Sequence, residues 1–324
     1  MQPLKPSGDI KIVYSPHYNI SFFGIERFHP FDAKKYGRTW NVLQQQFGSK
    51  LSNHHLAVDR PVSDEELLLV HSREYLASLH SPAKLASILE LPAIRFLPAW
   101  LTAWCVLRPM RWATRGSVIA AKAALQTGAA INLSGGYHHA KPNQGEGFCV
   151  FSDAALIVRQ LRQEKLLQPD DTIAYVDLDA HHGNGVCHQF LADKRVSIFD
   201  MYNENVYPGR EFEEHQRIDC NVPLPFGCPG AEYLAILREN LPHFLDSLGK
   251  SRLRLAIYNA GTDVFNGDKL GGLGLSADDV LERDLFVIHQ FQQRQIPFVM
   301  LLSGGYSRQS YQLVANTAAK LLRK

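Results

Sequence analysis

At 324 residues with 45% apolar side chains, the chain can bury a large core, and α/β folds of this size commonly have one continuous sheet. A formal net charge of +2 gives no strong field that would invite nucleic acid or an acidic membrane, and leaves a basic, lysine-bearing partner open. Cys105, Cys149, Cys187, Cys220 and Cys228 form no C-x-x-C pair, which argues for a reducing compartment and against a disulfide framework or a thiolate zinc site. The N-terminal MQPLKPSGD has no apolar signal core and no uncharged apolar run nears membrane-spanning length, so a cytoplasmic protein is expected.

Residues 10–14 are a short apolar strand candidate. The following YSPHYNISFFGIERFHPFDAKKYGR is rich in aromatics, His and Pro without a clean period, and reads as an irregular lobe with helical turns. Ser63-x-x-Glu66 ahead of LLLVHSREYLASL is a capping box opening an amphipathic helix, on which His71 reads as a hydrogen-bonded structural histidine. In LPAWLTAWCVL, residues 97–107, Trp100 and Trp104 share a helix face, with Arg108, Arg111, Trp112 and Arg115 following. A buried helix is the expected reading, because aromatic pairs at this spacing usually fill cores; a greasy, basic-edged lid or partner surface is the alternative.

From Gly116 the alternation becomes regular. Helical patterns at 117–127, 153–166, 231–248, 277–295 and 308–322 interleave with apolar runs at 129–133, 173–178, 196–199, 255–259 and 297–302. Gly128 is placed as a helix stop and Ser276 as a cap. This alternation predicts an α/β chain: one domain over residues 1–324, three layers α/β/α, with a mainly parallel central sheet.

In such sheets chemistry gathers where strands end at the carboxyl edge. The predicted strand 173–178 is followed by Asp179 and His181, spaced by two from Asp177, so that these side chains point to one side while the chain stays extended. Three other strand ends carry SGGYHHA with His138 and His139, NAGTD with Asp263, and SGGY with Tyr306. Asp179, His181 and Asp263 supply three ligands and leave a position open, as a catalytic zinc ion requires. His138 and His139 offer a base near neutral pH, with Asp177 and Asn184 as partners fixing their tautomers. Tyr306, on a Gly304-Gly305 turn, can donate its phenolic proton to a developing oxyanion. These parts describe amide hydrolysis by a metal-activated water, provided the four strands are neighbours.

YHHAKPNQGEGFC, YVDLDAHHGNG, YNAGTD and LLSGGY resemble the histone deacetylase family, of the arginase/deacetylase fold. YSPHYNISFFGIERFHPFDAKKYG, FLPAWLTAWCVLRPMR, YNENVYPG and NAGTDVFNGDKLGGLGLS resemble its class IV branch in particular, and the similarity runs over nearly the whole chain. The resemblance implies a lysine deacetylase or deacylase with one zinc ion on Asp179, His181 and Asp263. It makes His139 the principal general base and acid, His138 an electrostatic partner held by Asp177, and Tyr306 the group that polarises the scissile carbonyl. Gly147, Phe148 and Tyr207 match the walls of an acyl-lysine tunnel. Asp177, Asp179, His181 and Asp200 match positions around a buried potassium ion, and Lys35 falls near a basic position at the base of the pocket. The class IV branch is associated with long fatty acyl groups, so such a preference is an expectation here.

Asn184 stands where class I enzymes have Asp; an amide orients His139 without raising its basicity by charge, so the two histidines are expected to titrate differently. An arginase-like two-metal hydrolase would need an Asp two residues beyond His181, and Gly183 stands there. An acetylpolyamine amidohydrolase shares the chemistry, while class IV features favour lysine on a peptide or protein. A non-catalytic acyl-lysine binder would lack Tyr306 or a histidine, and none is missing. The expected partner is thus an acyl-lysine substrate, with no nucleic acid and no transmembrane segment; the oligomeric state stays open.

Overall fold

The computed structural model describes residues 9–21, 32, 34–209, 215–249 and 252–323. Short apolar, β-branched runs bounded by turns form eight strands among these residues: β1 Lys11–Tyr14, β2 His55–Ala57, β3 Ala129–Asn132, β4 Thr172–Asp177, β5 Val196–Asn203, β6 Cys220–Leu224, β7 Leu253–Asn259 and β8 Phe298–Leu301. They pair in the order β2-β1-β3-β8-β7-β4-β5-β6, every pair parallel. β3, β5 and β8 are buried along their whole length, as strands covered on both faces must be.

Two helical groups flank the sheet. Lys35–Phe47 packs on Ser310–Leu322, which packs on Ala277–Gln293, which packs on Gly230–Ser247. Arg108–Thr127 lies against β1, β3 and β8 and packs on Asp153–Gln163, which touches Asn184–Gln189. Gly128 ends its helix in the left-handed conformation at φ 96° and Ser276 opens a capping box with Asp279, both as the sequence indicated. The core is a single cluster reaching from Ile10 to Leu321. No helix of the described residues is long and apolar enough to cross a membrane.

Three expectations are corrected. The helix expected from Ser63 to Leu79 is two short ones, Asp64–Leu67 and Arg73–Ser78. His71 sits in the break, where its buried ring bonds the Lys141 carbonyl through Nδ1 (3.1 Å) and accepts from the Ser152 N–H through Nε2 (3.0 Å). Both ring nitrogens are thus used structurally, and Ser72 starts a new helix by capping Tyr75 N.

The second correction is at Trp100 and Trp104, which are 71% and 56% exposed rather than buried. Here helix Ala99–Thr102 passes through a π-helical turn, Ala103–Leu107, into Arg108–Thr127. Pro109 cannot donate an N–H, and the wide turn accommodates that loss while Cys105, Val106 and Leu107 go inward. The third is the pair of edge strands, β2 and β6, which the pattern did not reveal. Of the irregular aromatic segment, residues 22–31 and 33 lie outside the described residues.

Candidate active site

Because β3, β8, β7 and β4 are consecutive in the sheet, the four loops that follow them meet at one carboxyl edge. Asp179 and His181 come from the loop after β4 and Asp263 from the loop after β7. One ligand atom from each lies within 4.8 Å of the others, and all three residues are buried. His181 Nδ1 is 3.0 Å from Asp179 Oδ1 and 3.1 Å from Asp263 Oδ2. Backbone groups hold the remaining oxygens: Ala180 N–H donates to Asp263 Oδ1 (2.9 Å) and Gly304 N–H to Asp179 Oδ2 (2.8 Å).

Burial and the charge of Asp179 push the Asp263 carboxyl up to about 7. A divalent cation among the three donors would remove that repulsion, and two carboxylates with one imidazole suit a zinc-like ion. Glycines let the donors come so close. A Cβ on Gly304 would stand 2.2 Å from Asp263 Oδ2 and 2.5 Å from Asp179 Oδ2.

His138 and His139 follow β3, their ring centroids 4.0 Å apart. His138 Nδ1 is 2.9 Å from Asp177 Oδ2, and His139 Nδ1 is 2.8 Å from Asn184 Oδ1. Asn184 cannot be flipped, since its Oδ1 also accepts from Gly185 N–H while its Nδ2 donates to Glu146 Oε1. An amide oxygen accepts only from an N–H, so the His139 proton sits on Nδ1 and Nε2 keeps its lone pair. The two rings shift in opposite directions. Burial disfavours charge on His138, but Asp177 and Asp179 outweigh it and raise the group to about 9. Burial and the charges of His138 and His181 hold His139 well below the usual histidine value.

The loop after β8 brings up Tyr306, whose ring meets His181 edge-on with centroids 5.9 Å apart and Phe148 at 5.7 Å. Burial, then the charges of Asp179 and Asp263, raise its phenol well above the ordinary value, so it keeps its proton. Opposite, Tyr207 stands edge-on to His139 at 5.0 Å, and Gly147 lies so close to that imidazole that a Cβ there would be 2.4 Å from it. Behind these walls a cavity of about 60 Å³ is lined by Ile20, Tyr36, Leu89, Leu91, Met110 and Cys149, together with the Gly135–Gly136 and Ser303–Gly304 turns.

The sequence pattern described as "Histone deacetylase domain" matches residues 29–322. The chain belongs to the histone deacetylase family. It is 38% identical to Histone deacetylase 2 of Arabidopsis thaliana, over 98% of this chain and 80% of that one. It is also 27% identical to a probable deacetylase of Archaeoglobus fulgidus, over 86% of this chain and 77% of that one. It spans only 57% of Histone deacetylase 2 of Oryza sativa, with 27% identity over 91% of this chain. Among solved structures, the histone deacetylase homologue of Aquifex aeolicus superposes with a TM-score of 0.74 at 21% identity, covering 98% of this chain and 84% of that one. The fold is therefore that of the histone deacetylases, and the family makes the chain a hydrolase of the deacetylase type.

Several residues of this deacetylase site escaped the sequence reading. Asp153, at the start of helix Asp153–Gln163, accepts from Gly136 N–H and Tyr137 N–H (2.9 and 3.0 Å), fixing the turn that presents the histidines. Asp268 accepts from Tyr306 N–H and Ser307 N–H (2.7 and 2.9 Å). Lys35, which the resemblance had already put near the base of the pocket, is fully buried and donates to the carbonyls of Ser303 and Gly304 (2.6 and 3.0 Å), so it supports the Tyr306 loop. Asn259 Nδ2 ties Asp177 Oδ1 to Ser303 Oγ. An isolated acid or amide carries no spacing signature, which is why the motifs alone did not reveal Asp153, Asp268 and Asn259.

Proposed function

We propose that this chain is a zinc-dependent lysine deacylase of the class IV type, hydrolysing the amide of an acyl-lysine in a peptide or protein. The observation that carries the reading is the buried Asp179–His181–Asp263 triplet faced by a proton-holding tyrosine and by a histidine locked with its lone pair on Nε2. When bound, a zinc ion on those three residues supplies Lewis acidity to the scissile carbonyl and to the attacking water. His139 Nε2 takes the proton of the attacking water and later returns it to the leaving amine. His138, kept charged by Asp177, favours the negative charge that develops beside it. Tyr306 donates its phenolic hydrogen to the carbonyl oxygen as that charge grows. Gly147, Phe148 and Tyr207 wall the lysine methylenes, and their close packing excludes water.

Asp177 and Asp200 are register partners on neighbouring strands, and Asp200 Oδ1 is buried without a hydrogen-bond partner among the described residues. That orphaned oxygen supports a monovalent cation, potassium, held by Asp177, Asp179, His181 and Asp200. No disulfide joins any of the five cysteines, which supports a reducing, cytoplasmic setting.

The apolar chamber would take the acyl group. Its lining favours chains longer than acetyl, at about 0.8 kcal/mol per methylene removed from water. A free volume of about 60 Å³ holds a short acyl group as it stands, so a fatty chain requires Leu89, Leu91 and Met110 to give way. The test is kcat/KM for one peptide carrying acetyl-lysine or myristoyl-lysine, with metal content measured on the same preparation. Turnover of neither substrate by zinc-loaded protein would refute the deacylase reading; a clear preference for acetyl would remove only the long-chain part.

A further inference from the structure

The four most exposed large apolar side chains of the described residues are Phe96, Trp100, Phe226 and Trp104, and three of them fall in one short stretch of sequence. Phe96, Trp100 and Trp104 are 82%, 71% and 56% exposed, and they follow one another along the segment that leads away from the tunnel wall. Leu89 and Leu91 of the same segment line the acyl chamber, so the ridge and the chamber are continuous in the chain. Glu90, between those two leucines, is near enough to Tyr207 for its charge to act on that hydroxyl, which puts the start of the segment at the tunnel mouth.

The stretch of sequence that carries these rings has charges of one sign. No Asp or Glu occurs between Glu90 and Glu146. Arg111 and Arg115 are used inside the fold, paired with Asp64 and with Asp59 and Glu66. Arg95 and Arg108 are exposed and form no ion pair among the described residues, and the Arg95 guanidinium lies 5.4 Å over the Phe96 ring. The whole-chain charge of +2 conceals this local excess, because the balancing acids lie elsewhere in the chain.

We propose that the Phe96–Trp100–Trp104 ridge, with Arg95 and Arg108, seats the protein on an anionic lipid surface. Protruding indole and phenyl rings suit the headgroup boundary, where an apolar face enters the bilayer while guanidinium groups stay at the phosphates. A protein partner would instead find its best anchors in packed, concave pockets, and none of Phe96, Trp100 and Trp104 lines the acyl chamber. The cytoplasmic leaflet carries the negative potential that two free arginines would meet. The inference rests on the deacylase reading only for its consequence: the tunnel mouth would then face acyl-lysines of proteins held at a membrane.

The test is co-sedimentation of the full chain with vesicles of phosphatidylcholine, with and without phosphatidylserine, in the absence of substrate. The wild type is expected to pellet with the phosphatidylserine vesicles and show a blue shift of tryptophan fluorescence. Trp100→Ser with Trp104→Ser should abolish pelleting. Arg95→Gln with Arg108→Gln should weaken it about thirty-fold, roughly five-fold for each charge at the surface. Both variants should keep wild-type kcat/KM on a water-soluble acyl-lysine peptide, which shows that the fold is intact. Wild type that stays in the supernatant, or tryptophan variants that pellet equally well, would overturn the proposal. So would a dimer in light scattering that the tryptophan variant abolishes without any vesicle binding, since the ridge would then be a contact between copies. Wild type that pellets but turns over no acyl-lysine would uphold the lipid surface and refute the deacylase reading alone.

Discussion

Replacing Lys35 by methionine separates the electrostatic and hydrogen-bonding parts of a buried charge. Its ammonium is wholly buried at the start of helix Lys35–Phe47 and donates to the Ser303 and Gly304 carbonyls. Burial lowers the group from 10.5 to about 8, against the opposing charges of Asp263 and Asp179. Holding that charge at neutral pH therefore costs the native state about 3 kcal/mol relative to the unfolded chain. Lys35→Met removes this cost but orphans the buried Ser303 carbonyl, at about 1–3 kcal/mol, while the Gly304 carbonyl keeps the Thr262 N–H (3.2 Å), so the net change at neutral pH should be a gain of about 0–2 kcal/mol. The sign of the pH dependence follows from proton counts. Between about pH 8 and about pH 10.5 the unfolded lysine holds its proton and the folded one does not, so unfolding free energy rises with pH. The wild type should thus gain on the variant across that window. Urea denaturation of both proteins from about pH 7 to about pH 10 isolates Lys35, because the other titrations cancel in the difference. Turnover should fall about ten-fold or more in the variant, since the carbonyls belong to the loop that aims Tyr306. A stability difference flat in pH, or full activity in Lys35→Met, would refute the reasoning.

Tyr306→Phe removes one oxygen and should lower kcat by about two orders of magnitude with an unchanged thermal midpoint, checked by steady-state kinetics and calorimetry. Asn184→Asp puts a charge beside His139, whose pKa should rise by roughly 1–2, so the acid limb of the kcat/KM profile should move to higher pH. The limb should not move downward, because a carboxylate can only favour the imidazolium. Gly304→Ala places a methyl 2.2 Å from Asp263 Oδ2 and 2.5 Å from Asp179 Oδ2, so it should lower zinc content at a fixed free-metal concentration, read by elemental analysis against the wild type.

The reacting groups were legible because each belongs to a local run: two acids and a histidine at spacing two after β4, vicinal histidines after β3, a tyrosine on paired glycines after β8. The inner strands were legible for the same reason, as apolar runs buried on both faces. Edge strands were not. β2 is three residues of partly exposed chain, and β6 alternates exposed and buried positions around Pro223. Trp100 and Trp104 do lie on one helical run, but their spacing does not say whether they meet core or solvent. At His71 a continuous helical pattern is broken by two ring hydrogen bonds to distant backbone, a contact 70 or more residues away that no local period contains.

The register of the sheet explains why four separate loops can make one site. Asn132 pairs with Leu301, Leu301 with Asn259, and Asn259 with Asp177, so the last residues of β3, β8, β7 and β4 form one level row across the sheet. The histidines, the tyrosine, Asp263, and the Asp179–His181 pair all leave from that row within a few residues. The irregularity between β4 and β7 lies at Thr172 and Ile173, the opposite end, where it cannot disturb the alignment. Slipping one strand by two residues would preserve its buried faces yet carry its loop about 6.6 Å along the sheet, enough to separate metal ligands or to part the base from them. Asn259 counters such slippage. Buried in the row, it bonds Asp177 on one side and Ser303 on the other, and neither contact survives a shift of register. A polar side chain in an otherwise apolar strand end is thus the element that ties the sheet's alignment to the geometry of the catalytic groups.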